Sequence, residues 1–126
     1  MKHLKRFLAI EGRLLLVLSV VLISRQALLP AAASFPGMGL DKVLHFLAFF
    51  LLSFLVDFAF QKTTFNVRKI IVLLVYGIAI EVAQSFFPYR TCSFGDIAAD
   101  AAGIAGYLLA IPILKRIPFI RERWSA

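Results

Sequence analysis

Nine polar residues in an otherwise apolar sequence could form a chemical site, because they combine acids, bases, an imidazole and an amide. They are Arg25, Asp41, Lys42, His45, Glu81, Gln84, Arg90, Asp96 and Asp100. The cations suit a phosphate or pyrophosphate, since a guanidinium group can donate two parallel hydrogen bonds. The acids and the imidazole could transfer protons, and His45, Glu81 and Asp96 are the candidates for a catalytic base or nucleophile.

Helical spacing places several of these residues on shared faces, because residues three or four apart lie on one side of a helix. Asp41 and His45 have this separation. Two longer stripes follow the same rule, one with Gly77, Glu81, Gln84 and Pro88, the other with Asp96, Asp100, Gly103 and Tyr107. We therefore expect the polar residues of three different helices to converge.

The last apolar segment carries a further stripe of small residues, namely Ala98, Ala102, Gly106 and Ala110. Small residues at this spacing allow helix backbones to approach closely in lipid. We expect this stripe to face a neighbouring helix and the fourth helix to lie at the centre of the fold.

The elements that position these residues are predicted to lie in a membrane. Of the 126 residues, 61% are hydrophobic and 17% are charged, and the mean hydropathy is +0.89. Apolar segments cover residues 9–29, 43–60, 70–87 and 97–114, each close to the roughly 20 residues that cross a bilayer as a helix. The sequence predicts an all-α membrane protein, a bundle of four transmembrane helices in a single domain over residues 1–126.

The distribution of lysine and arginine predicts the orientation, since cytoplasmic flanks carry the excess of these residues. Eleven of the 14 lie near the two termini or in the segment 61–69, and the other three are Arg25, Lys42 and Arg90. We expect both termini and segment 61–69 to be cytoplasmic, and segments 30–42 and 88–96 to be exoplasmic. This pattern suits a multi-pass membrane protein with cytoplasmic N- and C-termini.

The net charge of +7 does not indicate nucleic-acid binding, because the basic residues lie at the ends of apolar segments rather than on a polar, aromatic-rich face. Cys92 is the single cysteine, which excludes an intramolecular disulfide. Neither a CxxC pair nor a His/Cys cluster occurs, so we expect no metal and no cofactor.

The N-terminal segment has a second interpretation as a cleavable signal peptide, with a basic start, the apolar core 14–24 and three alanines at 31–33. Cleavage would leave three spans. Arg25 and Gln26 interrupt the path to that cleavage site, and Pro30 suits the end of a span. We therefore expect the first span to be retained.

Two stretches of the chain, DKVLHFLAFFLLSF from Asp41 and EVAQSFFPYRTCSFGDIAADAAGIAGY from Glu81, resemble the VanZ-like family of bacterial membrane proteins. The family pattern is Asp-Lys-x-x-His-Phe, then Glu-x-x-Gln-x-x-x-Pro-x-Arg, then an aspartate before a glycine-containing helix. The matching residues are Asp41, Lys42, His45, Phe46, Glu81, Gln84, Pro88, Arg90, Asp96, Gly103 and Gly106. The chain departs from the pattern at Asp100, where the family commonly has asparagine.

The resemblance implies a location in the bacterial cytoplasmic (inner) membrane and a role in the cell envelope, since the family's founding member is associated with teicoplanin resistance. Combined with the polar residues, it predicts a protein that binds or handles a lipid or lipid-linked cell-wall intermediate at the exoplasmic face, with membrane lipids as partners. One alternative is a lipid phosphohydrolase or transferase, although no GxSxG, HExxH or P-loop motif occurs. A small proton-coupled transport subunit, which would require a homo-oligomer, is a further alternative.

Structural interpretations compete with these functional ones. Asp41 and Asp96 could cap the N-termini of their helices, and His45 could pair with Glu81 across a helix interface. Arg25 and Arg90 could contact lipid phosphates without specificity. Asp57 lies near the end of its apolar segment and is expected to be interfacial.

Overall fold

Four α-helices in sequence order make up most of the fold. The computed structural model describes residues 2–29, 40–88 and 94–125, with the backbone alone for residues 40 and 41. The helices are α1 (Lys2–Leu28), α2 (Leu40–Ala59), α3 (Val67–Ser85) and α4 (Phe94–Leu114), and a short 3-10 helix follows at Arg121–Trp124. Each helix begins before its predicted apolar segment. The structure has no strand in these ranges, so the prediction of an all-α bundle of four helices is confirmed.

Three of the helices, α1, α2 and α4, are long and apolar enough to cross a membrane. The third helix has Arg68, Lys69 and Glu81 in its 19 residues, but the two cations lie in its first turn and Glu81 is buried. Its exposed face is formed by Ile71, Val72, Val75, Ile78 and Val82. An apolar outer face is what lipid requires of a spanning helix, which supports the prediction of a fourth span.

Helix α2 lies at the centre of the bundle. It contacts α1, α3 and α4, and its second half is buried almost continuously from Leu52 to Ala59. Core residues of α3 and α4, Leu73 and Ile104, pack with Phe49 and Leu52 of α2. The prediction that the fourth helix is central is therefore wrong. Helix α4 contains more small residues, but α2 carries the large side chains that neighbouring helices bury.

The contact between α2 and α4 is closest at Gly103, where an added β-carbon would overlap the carbonyl oxygen of Phe46 and lie 3.0 Å from the amide nitrogen of Phe50. Gly106 follows against the ring of Phe46. Ala98 and Ala102 are exposed, so the predicted stripe faces the neighbour only in its C-terminal half. The buried face of α4 is the other predicted stripe, with Asp96, Asp100, Gly103 and Tyr107.

Helix α1 packs against α2 and α3 through polar as well as apolar contacts. Gly12 is buried, and a β-carbon there would lie 3.0 Å from the amide nitrogen of Ala59. Ser24 and Tyr76 share a hydrogen bond of 2.6 Å between their hydroxyl groups. Gln84 Nε2 donates a 2.9 Å hydrogen bond to the carbonyl oxygen of Ala27 in the last turn of α1. The first helix is thus bound to the bundle at both of its ends.

Asp57 lies in a buried polar network at the end of the bundle that holds the α2–α3 connection. Arg123 Nη2 is 2.6 Å from Asp57 Oδ1, and the Tyr107 hydroxyl donates a 2.5 Å hydrogen bond to Asp57 Oδ2. Lys69 Nζ lies 3.5 Å from Asp57 Oδ1. Asp57 lies near the end of α2, as predicted, and it is 0% exposed, so it is a buried member of this network.

Candidate functional site

A second group of polar residues lies at the opposite end of the bundle, where α1 and α3 end and where α2 and α4 begin. We call Lys42, His45, Glu81, Asp96 and Asp100 the polar cluster. Two of its members come from the first two turns of α2, two from the first two turns of α4, and one from α3. The i, i+4 spacing of Asp96 and Asp100 turns both carboxylates to the buried face of α4, where they are 3% and 1% exposed.

The contacts between α2 and α4 inside the polar cluster are made by polar side chains. His45 Nδ1 lies 2.8 Å from Asp100 Oδ1, a hydrogen-bond distance. The Lys42 ammonium forms an ion pair with Asp96 Oδ1, and His45 Nε2 is 3.9 Å from Asp96 Oδ2. The imidazole is therefore held between two carboxylates, with one nitrogen facing each of them.

Glu81 brings a third carboxylate from α3. One ligand atom from each of His45, Glu81 and Asp96 lies within 4.8 Å of the other two. Glu81 is 6% exposed, so all three carboxylates of the polar cluster are shielded from solvent. The side chain of Lys42, by contrast, is 42% exposed. The arrangement is a set of buried acids beneath an accessible cation.

The structure describes the side chains of two of the four remaining predicted site residues. Gln84 is buried on α3 and donates to α1, so its amide joins two helices. Arg25 is an exposed residue of the last turn of α1. Arg90 lies outside the described residues, as does the side chain of Asp41. The structure thus gathers five of the nine predicted residues into one group and places Gln84 and Arg25 at the same end of the bundle.

The capping interpretation of Asp96 is wrong, because α4 begins at Phe94 and Asp96 lies inside its first turn. A carboxylate in that turn still benefits from the positive end of the helix dipole. The Asp96 carboxylate accepts a hydrogen bond from Lys42 on α2. The ionic contacts therefore bridge helices, and a local capping role does not account for them.

Gly77 makes room for the polar cluster on α3. A β-carbon at this position would lie 2.7 Å from Asp100 Oδ2 and 3.1 Å from Cζ of Phe49. Glycine at position 77 therefore leaves space for the Asp100 carboxylate beside His45. The sequence placed Gly77 on the same predicted stripe as Glu81, and both are buried.

Sequence reasoning missed the network around Asp57 at the other end of the bundle. One signal was available, since an acid retained within an apolar segment requires a partner there. The partner is Arg123, 66 residues further along the chain, and spacing along a single helix cannot indicate a contact of that range. The structure joins α2, α3 and the 3-10 helix through this network.

Chemically, the polar cluster combines an oriented imidazole, three buried carboxylates and one accessible ammonium group. An imidazole whose Nδ1 is held by a carboxylate presents Nε2 for proton transfer or for ligand binding. An accessible ammonium group can bind an anion approaching from the membrane surface.

Comparisons with known proteins place the chain within a wider group. A family model described as VanZ/LLP1 matches residues 5–115. The chain is 34% identical over 97 residues to the uncharacterized protein C11E3.10 of Schizosaccharomyces pombe, and the match covers 75% of this chain and 60% of that protein. The chain therefore spans less than two thirds of that relative's length. No solved structure matches it.

Proposed function

Because the chain belongs to the VanZ-like family, as its motifs predicted, we propose that it is a membrane protein that binds the phosphate-bearing headgroup of a lipid or lipid-linked cell-wall intermediate. The polar cluster is the proposed binding site. The match of the family model to residues 5–115 includes every residue of this cluster.

The observation that carries the proposal is the position of the polar cluster at one end of an apolar bundle. Buried acids within or beside membrane spans are energetically costly, by about 2.5–3.5 kcal/mol for an aspartate at the centre of a span on insertion scales. Three of them, together with Lys42 and His45, exceed what joining α2 to α4 requires, since Gly103 already provides a close contact with the α2 backbone. Lys42, with its side chain 42% exposed, and the exposed Arg25 are the cations that a headgroup phosphate would meet.

We also propose an orientation of the chain in the membrane. The excess of lysine and arginine near the termini and in segment 61–69 supports cytoplasmic termini in a bacterial cytoplasmic membrane, with the polar cluster at the exoplasmic side. A protein that holds a lipid-linked cell-wall intermediate there would change the susceptibility of the cell to glycopeptides such as teicoplanin.

A phosphohydrolase or transferase is the second candidate function, and the contact between His45 and Asp100 favours it. A carboxylate that holds Nδ1 of a histidine orients the ring for general-base catalysis at Nε2. In such a reaction, Nε2 would accept a proton from the water or hydroxyl group that attacks phosphorus, while the bond from phosphorus to the leaving oxygen breaks.

Native mass spectrometry of the gently solubilised protein with lipid identification tests both functions. We expect a polyprenyl phosphate to co-purify with the chain and to bind more tightly than a zwitterionic phospholipid. Lys42→Gln should weaken this binding, because the accessible ammonium group is lost. Conversion of the bound lipid or release of inorganic phosphate would identify the enzyme, and binding without conversion would identify the binding protein.

Two further variants separate a headgroup site from nonspecific charge attraction. Lys62→Gln removes an exposed cation from the opposite end of the bundle and should leave the binding of polyprenyl phosphate unchanged. Arg90→Lys retains the charge but loses the planar guanidinium group, so it should weaken a bidentate phosphate contact. Equal binding by the wild type, Lys42→Gln and Arg90→Lys would contradict the proposal.

A further inference from the structure

We infer that His45, Glu81 and Asp96 form a binding site for one divalent transition-metal ion. The three residues come from three different helices, α2, α3 and α4, and one ligand atom from each lies within 4.8 Å of the others. Bonds from such an ion to nitrogen or oxygen are about 2.0–2.2 Å long, so two ligands of one ion lie at most roughly 4.4 Å apart. His45 Nε2 and Asp96 Oδ2, 3.9 Å apart, already satisfy this limit.

The orientation of the His45 ring also suits a metal ligand. A metal-binding histidine commonly donates its other ring N–H to a carboxylate, which fixes the tautomer and the direction of the ring. Asp100 Oδ1 lies 2.8 Å from His45 Nδ1, so Nε2, which lies 3.9 Å from Asp96 Oδ2, is the nitrogen that would bind an ion. Asp100 is itself held in place beside Gly77. The supporting contact that a metal site requires is therefore present.

The charges of the polar cluster also favour the binding of a cation. Among its described side chains, Glu81, Asp96 and Asp100 carry three negative charges when ionised, against one positive charge on Lys42. Lys42 pairs with Oδ1 of Asp96, whereas Oδ2 of Asp96 lies 3.9 Å from His45 Nε2. A divalent cation would offset the negative charge of these described side chains.

The ligand set indicates which ions fit. One imidazole nitrogen and two carboxylate oxygens suit Zn²⁺, Mn²⁺ or Fe²⁺, while Mg²⁺ and Ca²⁺ prefer oxygen ligands alone. Three protein ligands leave at least one coordination position open for water or for a phosphate oxygen. The metal site goes beyond the proposed function and does not depend on it, because its test contains no lipid phosphate.

The experiment uses the full chain, purified in a phosphate-free non-ionic detergent and treated with a chelator that is then removed. Zn²⁺, Mn²⁺ and Mg²⁺ are added separately, and the bound metal per chain and the thermal unfolding temperature are measured. We expect one equivalent of Zn²⁺ or Mn²⁺ to bind and to raise the unfolding temperature, with a smaller effect of Mg²⁺. His45→Gln, Glu81→Gln and Asp96→Asn should each weaken Zn²⁺ binding by about tenfold or more, as loss of a ligand or its support does.

Two control variants exclude other metal ligands. His3→Gln removes the other of the two histidines, and Cys92→Ser removes the single cysteine. Both should bind Zn²⁺ as the wild type does. Asp100→Leu, which cannot accept a hydrogen bond from His45, should weaken Zn²⁺ binding by roughly 10- to 100-fold, while Asp100→Asn retains an acceptor oxygen and should weaken it less.

A spectroscopic measurement keeps the inference testable if the ligand variants do not fold. Mn²⁺ bound to the His3→Gln protein should show pulsed EPR coupling to an imidazole nitrogen, which only His45 can supply. Absence of this coupling would overturn the site, as would Zn²⁺ binding of wild-type strength in His45→Gln. If the protein bound Zn²⁺ but no polyprenyl phosphate, the inferred metal site would be supported and only the proposed function would be contradicted.

Discussion

Arg123 Nη2 and Asp57 Oδ1 lie 2.6 Å apart in the interior of the bundle, with the two residues 4% and 0% exposed. Removing one partner of a buried ion pair leaves an uncompensated charge and costs about 3–5 kcal/mol. We expect Arg123→Gln to lower the free energy of unfolding in detergent by about 3 kcal/mol, the lower end of that range, because Lys69 still faces Asp57. Arg121→Gln, at an exposed position of the same 3-10 helix, is the control. Equal unfolding temperatures for the two variants would contradict the structural role of the pair.

Gly103 and Ala102 are adjacent on α4 but face different surroundings. Gly103→Ala should destabilise the protein by about 1–3 kcal/mol, because the added methyl group meets the backbone of α2. Ala102→Leu should change stability by no more than about 0.5 kcal/mol, since Ala102 is exposed on the outer surface. Thermal unfolding of both variants in the same detergent measures the difference. A larger loss for Ala102→Leu would mean that this face contacts a further helix, such as one from a second copy of the chain.

Gly77→Ala should disturb the polar cluster without removing any polar group. Its β-carbon would lie 2.7 Å from Asp100 Oδ2, which displaces the carboxylate and weakens its hydrogen bond to His45. The measurement is the ¹⁵N NMR spectrum of the imidazole, where the resonance of Nδ1 should shift. Ala79→Val adds volume at an exposed position of the same helix and should leave the imidazole resonances unchanged. Unchanged resonances in both variants would show that Asp100 does not hold the ring.

Reporter fusions test the orientation that the distribution of lysine and arginine predicts. Fusions after Ala126 and within residues 61–69 should be active only as cytoplasmic reporters. Fusions within residues 30–39 and at Thr91 should be active only as exported reporters. A cytoplasmic Thr91 would reverse the orientation and place the polar cluster at the inner membrane surface.

The sequence was sufficient to predict the helices and much of the polar cluster. Apolar segments of spanning length, separated by short polar connections, define the four helices, and their order follows from the chain. The i, i+4 spacing of Asp96 and Asp100 correctly placed both carboxylates on the face that α4 buries. These predictions succeeded because each depends on local periodicity.

The packing of the helices was less accessible to sequence reasoning. In lipid, the hydrophobic effect does not distinguish one apolar face of a helix from another, so Ala98 and Ala102 looked as suitable for a contact as Gly103. The polar residues determine the outcome, because burying Asp96 and Asp100 fixes which face of α4 turns inward. The close contact at Gly103 then follows from its position on that face.

Contacts between distant parts of the chain could not be predicted from spacing at all. Gln84 shares a stripe with Glu81, yet its amide donates to Ala27 on α1 and not to the polar cluster. Asp57 depends on Arg123 for its burial. Such pairings require the relative positions of helices, which depend on the whole bundle.

The ion pair between Asp57 and Arg123 also sets an order of events during biogenesis. Asp57 belongs to the second helix that a ribosome delivers to the membrane, whereas Arg123 is translated only after the fourth helix is complete. Until then, a nascent bundle holds an aspartate whose principal counter-ion does not yet exist. Before Arg123 arrives, Lys69 of α3 is the described cation that can face Asp57, so the charge of Asp57 is shared first with α3 and only afterwards with the segment that follows α4.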